Sequence, residues 1–75
     1  MSQQYGYITF KSVSYAMKFE AAIKNYDIAV KIIPVPRSIS SSCGLCCRFD
    51  LSDINEIKSI MENDKLDYDS IYTNI

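Results

Sequence analysis

The chain has 75 residues and a formal net charge of −1, with 48% of its residues apolar and 23% charged. That balance belongs to a globular protein and not to a disordered tail, and the length allows one domain, residues 1–75, burying only roughly 60% of its unfolded surface. So little positive excess argues against a phosphate-backbone binder, and no nucleic-acid partner is expected. With no histidine, a Cys-His dyad and any histidine-containing metal site are excluded within this chain.

No charged segment followed by an apolar stretch opens the sequence, and no run approaches the roughly 18 apolar residues of a membrane span. A cytoplasmic protein with no membrane partner is the expectation. The cysteines, Cys43, Cys46 and Cys47, are odd in number and crowded together. They do not resemble the spaced framework of a secreted disulfide scaffold, so reduced thiols are expected.

Tyr5 to Phe10 is aromatic and β-branched and reads as a first strand. Ser12 and Ser14 can each cap a helix begun there. Between Val13 and Tyr26, the apolar residues Ala16, Phe19, Ile23 and Tyr26 recur at the spacing of one helical face. Ala29 to Val35 is a second strand that runs into Pro34 and Pro36, which fits a sheet edge because proline donates nothing to a ladder. A connection over Arg37 to Gly44 leads to a third strand, Leu45 to Phe49. Ser52 reads as the N-cap of a second helix striped by Ile54, Ile57, Ile60 and Met61, and a last strand runs from Tyr68 to Thr73.

The order βαββαβ predicts an α+β, ferredoxin-like sandwich: a four-stranded antiparallel sheet, strands one and three central, with two helices on one face. Ile8, Phe10, Phe19, Ile23, Val30, Ile32, Cys47, Phe49, Ile57, Ile60 and Ile71 are the expected core. Alternation along strand three sends Leu45, Cys47 and Phe49 toward the helices and Cys46 and Arg48 to an open face shared with Tyr7, Thr9 and Ile33. That face is a candidate surface for a homodimer or for another partner.

Residues 34 to 49 hold both prolines, both arginines and every cysteine of the chain, and this segment is the candidate site. Ser40, Ser41 and Ser42 lead into Cys43-Gly44, flanked by Arg37 and Arg48. This places the thiol among hydroxyls, backbone N–H groups and fixed positive charge, surroundings that favour the reactive thiolate. The same serines also suit an ordinary turn, or an anion-binding concavity with no covalent chemistry. For Cys46 and Cys47, packing as small buried hydrophobes is the leading reading. A metal site is disfavoured because residues three apart on a strand lie ~10 Å apart and point oppositely, unless the chain bends sharply at Gly44. Two protomers pooling thiolates would be the exception, and no cofactor is otherwise expected.

The segment Pro34-Val35-Pro36-Arg37-Ser38-Ile39-Ser40-Ser41-Ser42-Cys43-Gly44, followed by Arg48-Phe49, resembles the signature of the selenium/sulfur (Se/S) carrier protein-like family of small bacterial domains. The resemblance extends over nearly the whole chain. It implies a non-enzymatic carrier whose Cys43 holds sulfur or selenium as a persulfide or selenosulfide. Its donor or acceptor would be a protein of cysteine desulfurase or sulfurtransferase type. Arg37 and Arg48 would favour the anionic cargo, and Ser40 to Ser42 with Gly44 would shape its site. Cys46 and Cys47 depart from the small or aliphatic residues of the family pattern, which keeps secondary redox or metal roles open as alternatives. A different class of function, a small-anion-binding or regulatory module, uses the same loop without the thiol.

Overall fold

A computed structural model describes residues 4–39 and 43–73. Its elements run β1 (Tyr5–Thr9), α1 (Val13–Lys24), β2 (Val30–Pro34), β3 (Leu45–Asp50), a 3-10 turn (Leu51–Asp53), α2 (Ile54–Asn63) and β4 (Ser70–Tyr72). The sheet is antiparallel throughout, in the order β2-β3-β1-β4. Each helix therefore joins two parallel strands with a third inserted between them, the split βαβ arrangement of the ferredoxin-like class. Pro34 lies within β2, whose outer edge has no ladder to interrupt.

Both helices lie on one face. Ile8, Phe10, Cys47 and Phe49 from the sheet side pack with Ala16, Phe19 and Ile23 of α1 and Ile57, Ile60 and Met61 of α2. The Phe10 and Phe19 rings tilt against each other with centroids 5.4 Å apart. Val30, Ile32 and Ile71, expected in the core, are only half-buried at its margin, as their places on the two edge strands require. Gly6 stands opposite Phe49 in the β1–β3 register. The Phe49 ring occupies the space a side chain would fill, since a Cβ at Gly6 would lie 2.3 Å from Phe49 Cζ.

The ends of the elements correct several expectations. α1 stops at Lys24, where the N–H groups of Asn25 and Tyr26 turn back to the carbonyls of Ala22 and Ile23, and Asp27 adopts a left-handed φ of 61°. Tyr26 consequently leaves the helical stripe, and its exposed hydroxyl donates to the Asp64 carboxylate at 3.2 Å, tying the ends of the two helices together. Ser12 occupies the N-cap position of α1, but its hydroxyl bonds to that of Ser14 instead of capping. Ser52 does not cap α2: it is itself held by Asp50, whose side chain accepts from the Ser52 N–H at 3.0 Å and its hydroxyl at 2.9 Å, starting the intervening 3-10 turn. α2 ends in a Schellman motif, with Leu66 N–H bonded to Met61 O and Lys65 N–H to Glu62 O. This places Lys65 at φ 53° and buries Leu66. β4 keeps only three residues.

The face away from the helices is not fully open. Tyr7, Ile33 and Arg48 are half-exposed, as expected of an uncovered sheet, but Cys46 and its cross-strand neighbour Thr9 are fully buried. This is the end of the sheet where the chain leaves β2 and returns to β3. The Thr9 side chain here is also stitched to β4, accepting from the Ser70 N–H at 3.1 Å and donating to its carbonyl at 3.4 Å.

Candidate functional site

The connection between β2 and β3 is closed at its neck by a hydrogen bond from Val35 N–H to Gly44 O, 3.0 Å. Just inside, Ile39 N–H bonds to Pro36 O at 3.0 Å, making a turn with Arg37 and Ser38 exposed at its crest. Ile39 is buried without belonging to the helix-side core, so it anchors this arm of the loop. It was legible only as the single aliphatic residue in a polar run, a signal that does not tell an anchor from a loop tip. Ser40, Ser41 and Ser42, to which the sequence assigns an anion concavity, lie outside the described residues.

The other arm is Cys43 and Gly44. Gly44 has φ 76°, the left-handed region that favours glycine, and no described residue beyond its chain neighbours comes within 4 Å of where a Cβ would sit. Its role is therefore conformational: it turns the chain into β3. The Cys43 side chain is partly buried, packs against the margin of the core, and its S–H donates to Leu45 O at 3.5 Å.

The three thiols have separate surroundings, and none is in a disulfide. Cys46 and Cys47 are both fully buried, on opposite faces of the sheet. Burial pushes the Cys46 thiol up, and the nearby Cys43 adds to the rise. Cys47 is pushed up to about 12, first by burial and then by Cys46, against a backbone hydrogen bond from Lys31 that works the other way. Both are neutral at physiological pH and closed to reagents. Cys43 is the thiol with access to solvent. Among the described residues no group of three or more Cys, Asp or Glu side chains is placed to hold a metal ion. A two-protomer thiolate site would have to draw Cys46 and Cys47 out of opposite sides of the sheet.

The two arginines are not brought together. Arg37 stays with the loop, on its exposed turn. Arg48 points from the outer face of β3, with its guanidinium carbon 4.5 Å from the centre of the Tyr5 ring. Tyr5 lies toward the far end of the strand, and three residues of strand separate Arg48 from Leu45 by ~10 Å. A hollow of about 470 Å³ beside α2, lined by Lys58, Met61, Glu62, Leu66 and Tyr68, contains no nucleophilic thiol.

Compared with protein-family models, the chain matches the one described as "Putative Se/S carrier protein-like" over residues 5–73, a span that includes the whole Cys43 loop. It belongs to that family. There is no significant match among curated proteins or among solved structures. No helix among the described residues is long and apolar enough to cross a membrane.

Proposed function

We propose that the chain carries sulfur or selenium on Cys43, as a persulfide or selenosulfide, between a cysteine desulfurase or sulfurtransferase-type donor and an acceptor protein. The observation that carries the reading is the difference among the thiols: Cys43 is partly exposed beside the exposed glycine bend, whereas its two neighbours are buried and held protonated. Loading is a displacement. The Cys43 thiolate attacks the terminal sulfur of a donor persulfide, the new S–S bond forms as the donor's breaks, and the electron pair leaves on the donor thiolate. Delivery repeats the step with the acceptor as nucleophile and Cys43 as leaving group, so no net oxidant is needed. A terminal selenium is displaced in the same way.

Such a carrier needs an accessible sulfur and polar contacts for a terminal anion, while the partner supplies the catalysis. Arg37 and the serines Ser40 to Ser42 are assigned those contacts, and Gly44 gives the backbone its turn. Arg48 is not given this role, because its guanidinium lies over the Tyr5 ring, directed away from the Cys43 loop. Intact-mass analysis after incubation with a cysteine desulfurase and cysteine tests the reading. A reducible gain of about one sulfur is expected for wild type and for the Cys46→Ser and Cys47→Ser proteins, and none for Cys43→Ser, and the loaded protein should pass the atom to an acceptor thiol. Labelling that survives Cys43→Ser would end the assignment.

A further inference from the structure

Across the outer face of the sheet, one row of side chains runs Lys31, Arg48, Tyr7, Tyr72, each the direct cross-strand neighbour of the next. Its first two members are like charges set directly opposite, a pairing that destabilises a sheet. No carboxylate among the described residues forms an ion pair with either one. The nearest acid on this face, Asp50, directs one carboxylate oxygen to the N–H and hydroxyl of Ser52. Tyr5 lies against Arg48, and with Lys31 and Asp50 these residues border a shallow hollow of about 270 Å³.

We infer that this row is a docking site for an acidic segment of a partner protein, with a carboxylate received between Lys31 and Arg48 and the tyrosines covering its flanks. Charge complementarity selects the occupant: two adjacent cations, neither ion-paired among the described residues, outnumber the one carboxylate, Asp50, that borders the hollow with them. Tyrosine and arginine are also the side chains most enriched where protein interfaces concentrate their affinity. A duplex needs many more phosphate contacts than two cations supply. A second copy docked face to face about this central row would set Arg48 against its own counterpart. The site lies toward the opposite end of β3 from Cys43, so a partner held here leaves the Cys43 loop uncovered. The inference does not depend on what Cys43 carries.

The test uses the full chain and a short fluorescein-labelled peptide of aspartate, glutamate and tyrosine, with anisotropy as the readout. Binding should weaken as ionic strength rises, fall roughly threefold in Lys31→Gln and roughly tenfold in Arg48→Gln, and stay unchanged in Lys18→Gln on α1. Lys31 is exposed, so its substitution leaves the fold intact even if loss of the Arg48–Tyr5 stack does not. Absence of binding at millimolar peptide, or equal losses in Lys18→Gln and Lys31→Gln, would overturn the site. Displacement of the peptide by equimolar inorganic phosphate would replace the protein partner with a small anion. Self-association abolished by Lys31→Gln would replace it with a second copy.

Discussion

Raising the pH should destabilise this domain through Cys47. Its thiol is pushed from the ordinary 9.0 up to about 12 by burial, with a further contribution from Cys46. A group whose pKa is higher folded than unfolded binds more protons in the folded state. Its contribution to stability is therefore complete below about pH 9 and declines as the pH rises toward 12. At pH 10 the unfolded thiol is roughly nine-tenths ionised while the folded one remains about 99% protonated, a loss of about 1.4 kcal/mol relative to neutral pH. The full window amounts to about 4 kcal/mol, a large part of what holds a domain of this size together. Urea unfolding monitored by far-UV circular dichroism, under reducing conditions at pH 7, 8, 9 and 10, measures it. With a slope of about 1 kcal/mol per molar urea, the wild-type midpoint should drop by about 1.4 M between pH 7 and pH 10 from this group alone. Cys47→Ala starts lower because of the lost sulfur but should show a correspondingly flatter profile, and Cys46→Ala should flatten it in the same direction. Parallel wild-type and Cys47→Ala profiles between pH 8 and pH 10 would refute the reasoning.

The packing sets three further outcomes. Gly6→Ala should destabilise by about 1–3 kcal/mol because its methyl enters the space of the Phe49 ring; Phe49→Leu should recover part of that loss, and strict additivity in thermal unfolding of the double variant would exclude the contact as the cause. Lys65→Gly should stabilise by about 0.5–1 kcal/mol, since it removes a lysine from a left-handed position that the Schellman motif imposes; an unchanged or lower melting temperature would contradict this. Iodoacetamide at neutral pH should modify Cys43 first, and the Cys43→Ser protein should label only as fast as it unfolds; mass-mapped early modification of Cys46 or Cys47 in the native protein would refute the thiol ranking.

The topology was legible because three independent cues agreed: strand alternation, helical spacing of the apolar residues, and prolines where only an edge strand tolerates them. Cys47 and Phe49 on the helix side come from the same alternation. What the sequence did not reveal was closure. Alternation placed Cys46 on an open face, and it does point to that face, but a face can be covered locally where the chain reverses, and no periodicity marks that. The caps failed for a related reason: more than one capping residue stands near each helix start, Ser12 and Ser14 at the first and Asp50, Ser52 and Asp53 at the second, and geometry gave the second helix entrance to Asp50 and left Ser12 bonded to Ser14. Within the candidate site the glycine bend was readable from residue type, whereas the separation of Arg48 from Cys43 was not. That separation depends on Tyr5, which is remote in sequence and becomes a neighbour only through the β1–β3 register.

The hydrogen bond between Val35 and Gly44 gives the domain an interchangeable part. Because the chain leaves and re-enters the sheet at one closed point, lengthening the segment beyond it costs only loop entropy, about 0.6 kcal/mol for a doubling. Grafted sequences between the buried anchor Ile39 and Cys43 can then be varied for partner choice while the sandwich beneath them keeps its melting behaviour, which makes this small fold a scaffold for presenting a reactive thiol in surroundings chosen at will.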